Sequence, residues 1–257
     1  METSIQPINI GSLKDQKKPT IELHTKTGYM LWVGRDDPNK PYIIPTETFL
    51  KRLFNVERAV AQDDPWADKT YYEVEQAIEE AQAIFDLKKR EIQKILDSGH
   101  DRIKFGDTII NETIEIEVTN YSRLGWRAID ILLTGDDLAK MVLTAHHRGR
   151  ISNQEKVLLL KAIQQIYRAT LFKVQQWKYQ GVTRDDVAAN NQVALKAKEA
   201  LGEIEEEFLL AKVRSTFAPD LPSNQKRNSK VEADQVMDDK VQETIKEMSK
   251  SAKLNAI

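Results

Sequence analysis

The sequence predicts an α+β protein, mostly α-helical: a strand–helix–helix module embedded in a larger helical body, with a small antiparallel hairpin. Three observations carry this. Apolar residues recur at intervals of three and four through much of residues 46–200, the period of a helix face. Two runs, "ETIEIEV" (112–118) and "WRAIDILLT" (126–134), read as strands, and the "TNYSRLG" link between them holds turn formers. The second run is followed by two helical patterns, each opened by a capping signal.

The elements follow in order. Residues 1–18 are polar, with Lys14, Lys17 and Lys18, and read as a flexible basic arm. "TIELHT" (20–25) turns Ile21 and Leu23 inward and Thr20, Glu22 and His24 outward, a half-buried strand. "TGYMLWVG" is a short helix, and the proline-rich stretch after it is loop. Phe49, Leu53, Val56 and Val60 give one apolar face to a helix over 46–61. Asp64 as N-cap and Pro65 at the first helical position open a long helix that runs to Gly99. At about 33 residues this rod is roughly 50 Å long, a scaffold for the domain.

After the expected hairpin, Thr134-x-x-Asp137 reads as a capping box, with Leu138, Met141, Val142 and Ala145 on one face and Gly149 as the stop. Ser152-x-x-Glu155 opens the next helix, expected to reach 179, and Thr183-x-x-Asp186 opens another over 184–201. Residues 19–222 therefore read as one globular domain holding the strand–helix–helix module at about 126–180. Residues 223–257 are mostly charged and polar and read as a disordered tail. Met237, Val241, Ile245 and Met248 could form a helix there on a protein partner.

Composition narrows the functional classes. The chain has no cysteine, which excludes disulfides and thiolate chemistry and fits a reducing cytoplasm. No apolar run approaches the ~18 residues a membrane helix needs, and the N-terminal stretch has no signal-peptide core. The glycines form neither a dinucleotide fingerprint nor a phosphate loop, and no zinc-protease or serine-hydrolase motif occurs. His146 and His147 are neighbours and would point about 100° apart on a helix, poorly placed to chelate one metal. The expectation is a protein without catalytic residues, metal or cofactor.

Charge is unevenly spread. The whole chain carries −2, but residues 1–119 carry −6 and residues 120–180 carry +6. The basic segment contains "AHHRGRISNQEK" (145–156), two His and two Arg just before a capping box. A helix start offers free N–H groups and a positive dipole end to phosphate. The expected DNA-binding set there is His147, Arg148, Arg150, Ser152, Asn153 and Lys156. Strand–helix–turn–helix is also the order of ribbon–helix–helix DNA-binding proteins, whose paired strands enter the major groove. Arg127 in the 126–134 run and Arg123 in the hairpin link before it are the corresponding candidates, although that strand's outward face offers few readers. A second candidate ribbon is "KPTIELHTK", with Lys18, Thr20, His24 and Lys26 on its polar face. The residues leave open which strand is the ribbon.

Four stretches resemble the AcaB-like family of conjugation proteins: "IELHTKTGYMLWVGR", "DDPWADKTYYEVEQAIE", "VLTAHHRGRIS" and "GVTRDDVAANNQVALKAKEALG". The resemblance covers roughly residues 20–222, and "DDPWAD" and "GVTRDDV" are its most specific parts. It implies a transcription regulator of the ribbon–helix–helix class, a homodimer that activates conjugative-transfer genes through double-stranded DNA. The alternative is a non-enzymatic accessory protein of the conjugation machinery, acting through protein contacts.

Overall fold

A computed structural model describes residues 17–100, 102–106, 112–119 and 122–221. The arm and the tail lie outside the described residues, apart from Lys17 and Lys18. In chain order the elements are β1 (Thr20–Leu23), α1 (Lys26–Val33), α2 (Thr46–Ala61), α3 (Pro65–Asp97), β2 (Ile114–Glu117), α4 (Arg123–His147) and α5 (Asn153–Phe172). A 3₁₀ turn (Lys173–Gln176) and three short helices follow: α6 (Arg184–Ala188), α7 (Gln192–Leu201) and α8 (Glu206–Leu209). The fold is mostly helical with one small antiparallel sheet, an α+β arrangement.

The core is built around α4, which packs against α3 and α5, while α2 packs against α3 and touches α4. Asp64 caps α3 by accepting from the Trp66 and Ala67 N–H groups. From there Tyr71, Val74, Ile78, Ala81, Phe85 and Ile92 turn inward at helical spacing. Fully burying a side chain such as Phe85 contributes on the order of 2 kcal/mol. Gly135 of α4 allows the close approach, since a Cβ there would sit 3.2 Å from the Phe85 ring.

Here the structure corrects the sequence reading. Residues 126–134 form no strand; they belong to α4, which starts at Ser122, whose hydroxyl accepts from the Gly125 N–H. The run is apolar enough to fit either period. The buried set Leu124, Ala128, Leu132, Gly135, Ala139 and Val142 is helical, and it overrides the strand propensity of Ile129 and Ile131. Thr134 caps nothing: its hydroxyl donates back to the Asp130 carbonyl at 2.8 Å within the helix. The expected hairpin with 112–118 is therefore absent among the described residues. β2 pairs instead with β1, antiparallel, with Ile21 opposite Ile116 and Glu22 opposite Glu115. The helix from Ser152 ends at Phe172, short of 179, and Trp177 is extended. The pattern over 184–201 is broken by Asn190 in the left-handed region, and Asn191 caps α7 afresh.

Two polar anchors fix the remaining pieces. Asp136, buried in mid-α4, accepts from the His24 N–H at 2.7 Å, the Thr25 N–H at 3.0 Å and the Thr25 hydroxyl. It pins the β1–α1 corner, and Gly28 leaves room for its carboxylate. The second anchor joins "DDPWAD" to "GVTRDDV". The buried Arg184 guanidinium donates to Asp63 at 2.6 Å, Asp68 at 2.7 Å and the carbonyls of Phe208 and Leu209. Trp66 packs with Val182, Ala194 and Ala197 in a small apolar cluster beside it.

Candidate nucleic-acid interface

The α4–α5 turn gathers six of the residues singled out from the sequence. His147 ends α4 and is exposed, Arg148 caps it, and Gly149 takes a φ of 66° that lets the chain reverse. Ile151 is buried and anchors the loop. Ser152 and Glu155 then close a full capping box at the start of α5, where Ser152 and Asn153 are exposed and Lys156 is half-buried.

The two arginines are held in place. Arg148 lies over the Phe105 ring, 4.6 Å from its centroid, and donates to the Gly106 carbonyl at 3.2 Å. Arg150 lies 5.7 Å from the same ring and covers Gly99, where a Cβ would make its guanidinium move aside. Each such cation–ring contact contributes roughly 0.5–1 kcal/mol. They staple the segment after α3 to the turn and preset both guanidinium groups. The helix start is less open to anions than spacing suggests. Glu155 accepts from the Ser152 N–H, which holds its carboxyl below the usual range, so a negative charge already sits there.

The other candidates lie apart from the turn. Arg123 and Arg127 occupy the first turns of α4, roughly 30–36 Å along the helix from His147. Arg127 lies over the Phe217 ring at 5.8 Å. Arg123 faces Glu57, and its charge counters the burial that pushes that carboxyl up. On the ribbon, Thr20 and Glu22 face outward beside Glu117 and Glu115. Lys18 is paired with Glu117, His24 is 3.9 Å from Glu22, and Lys26 is exposed at the start of α1. Paired with β2, this face carries three glutamates, and β2's share was invisible while its partner was unknown.

Sequence reasoning missed a cavity of about 670 Å³ between α2 and the segment following α5. Arg52, Asn55, Ala59 and Gln62 line it at steps of three, four and three, and this helical row beside the Phe49, Leu53 and Val56 face was legible, although Ala59 within it is buried in the core. Its other wall was not, because Trp177 fitted the face of a longer α5. Among the described residues, no group of three or more His, Asp or Glu could hold a metal, and no helix is long and apolar enough to cross a membrane.

The fold is similar to the crystal structure of selenomethionine-containing AcaB from uropathogenic E. coli, with a TM-score of 0.49. Sequence identity is 14%, and the match covers 75% of this chain and 94% of that one. No curated protein matches the sequence. Residues 9–222 match the family described as transcriptional regulator AcaB, and the chain belongs to that family.

Proposed function

We propose that this protein regulates transcription as a homodimer that binds specific double-stranded DNA in the cytoplasm and activates conjugative-transfer genes, without catalysis. Membership of a family of transcriptional regulators is the observation that carries it. The α4–α5 turn supplies the phosphate grip: Arg148 and Arg150 preset on Phe105, with His147, Ser152, Asn153 and Lys156 around them. Cations fixed before binding lose less side-chain freedom on contact.

The ribbon–helix–helix reading moves to β1, α1 and α2, a strand–helix–helix succession that survives in the structure. β1 pairs with β2 along one edge and with no other strand among the described residues. A second copy's β1 adds along the other edge in this proposal, which would carry Lys18, Thr20, His24 and Lys26 to the two-fold axis.

The test is fluorescence anisotropy with labelled promoter DNA of transfer genes against scrambled DNA, over a salt series. Wild type and Arg148→Ala/Arg150→Ala are compared. Saturable, selective binding whose salt slope falls in the variant supports the phosphate role, since each phosphate contact releases counterions. Selective binding with an unchanged slope keeps the function and removes the turn from the interface. Absence of selective binding at low salt overturns the DNA reading and leaves an accessory role through protein contacts.

A further inference from the structure

The cavity beside α2 has a composition that its neighbours do not use. Arg52 and Arg58 line it from α2 and Lys178 from the opposite wall, and among the described residues no carboxylate lines it. Among the described residues none of these three cations has a hydrogen bond or ion pair. All three side chains are exposed, so water and salt screen their mutual repulsion, while an anion in the cavity would be attracted by each of them.

The same cavity is lined by two aromatic side chains, Trp177 and Tyr179. Trp177 meets Tyr179 edge-on, centroids 6.2 Å apart at 66°. The indole nitrogen of Trp177 is buried and has no hydrogen-bond partner among the described residues. Tyr179 is 62% exposed, and its hydroxyl donates to Gln62 Oε1 at 3.4 Å, reaching from one wall to the other. Asn55 and Gln62 add amides able to donate and accept. A volume of about 670 Å³ lies within the range of small-molecule sites.

We propose that this cavity binds a nucleotide, its phosphates on Arg52, Arg58 and Lys178 and its base against Trp177 and Tyr179, with the amides at the base edge. Charge alone would suit any anion; the rings and amides beside it select one that carries a flat heterocycle. This inference does not rest on the DNA reading.

The test is calorimetric titration of the full chain with ADP, GDP, CDP and UDP, alongside the parent nucleosides and inorganic pyrophosphate. At least one diphosphate is expected to bind one-to-one with micromolar affinity, and its nucleoside at least tenfold more weakly. Arg52→Ala/Arg58→Ala should weaken binding at least tenfold, and Tyr179→Ala severalfold, while Tyr179→Phe retains it. The substituted groups are on the cavity surface, and circular dichroism with a urea midpoint confirms that each variant is folded.

No binding of any of the four below millimolar concentration overturns the proposal. So does binding that the double arginine variant leaves intact, or pyrophosphate binding as tightly as every nucleotide. Duplex DNA affinity measured on the double variant without nucleotide separates the remaining source of phosphate. If DNA binding is lost and no nucleotide binds, the groove is a DNA backbone track and the proposal fails.

Discussion

Replacing Arg184 by Met removes the one cation that touches both Asp63 and Asp68. Asp63 is 4% exposed, and Arg184→Met leaves its carboxylate without the guanidinium, while Asp68 keeps Arg214 at 2.7 Å. Breaking a buried pair on one side costs about 3–5 kcal/mol, because a buried carboxylate loses its counter-ion. The carbonyls of Phe208 and Leu209 also lose their donor, but they can turn to water once α8 loosens, so the total stays near 4 kcal/mol. With a urea dependence of roughly 2–3 kcal/mol per molar, the midpoint falls by about 1.3–2 M. The decisive comparison is the double variant Arg184→Met/Asp63→Asn. If the lost counter-ion is the cause, removing the Asp63 charge restores at least about 1.5 kcal/mol of the loss. A single variant that costs under 1 kcal/mol, or a double variant no more stable than the single, would refute the reasoning.

Three further outcomes are expected. Burial pushes Asp64 up to about 6 from 3.8, against the hydrogen bonds from the Ala67 and Trp66 N–H groups and the Arg184 charge. Its folded form holds the proton more tightly than the unfolded chain, so this group's penalty is present at pH 7 and is relieved as pH falls through 6 toward 4. That adds about 1.3 kcal/mol of stability from pH 7 to pH 5. Asp64→Asn keeps a good cap and should flatten this dependence in urea melts at the two pH values; equal slopes for both proteins count against it. Gly28→Ala puts a Cβ 2.2 Å from the Asp136 carboxylate and should cost about 1–3 kcal/mol, read as a lower urea midpoint. Phe105→Ala removes the ring under both turn arginines, so amides of residues 102–106 should exchange hydrogen faster while α3 and α4 keep their protection. Unchanged exchange would show that the stack does not hold the segment.

Local chemistry made some elements readable and left others silent. The start of α3 was legible because its cap, Asp64, and its Pro65 are adjacent in sequence. The start of α5 was legible because Ser152 and Glu155 form a reciprocal pair within one turn. The first half of α4 was not: Ile129, Ile131 and Leu133 alternate like a strand, and the helix is chosen by burial on several sides against partners far along the chain. The pairing of β1 with β2 joins residues nearly a hundred positions apart, and no spacing rule reports it. At the candidate interface the turn's residues could be gathered from sequence, since they are contiguous. Phe105 beneath them could not, nor could the cavity, whose walls come from α2 and from a stretch that looked helical.

The joint between Asp63 and Arg184 also sets an order of events during synthesis. The two residues are 121 positions apart. At roughly 5–20 residues per second, the ribosome needs on the order of 6–24 s to travel from one to the other. Throughout that interval the nascent chain carries Asp63 and Asp68 without Arg184, and Trp66 without Val182 to cover it. Arg214, the second partner of Asp68, is made later still. The first turn of the longest helix is thus completed by some of the last-made residues of the folded body. A message truncated before codon 184 would yield a chain whose core helices are all encoded but whose longest helix begins on two carboxylates that lack the Arg184 guanidinium.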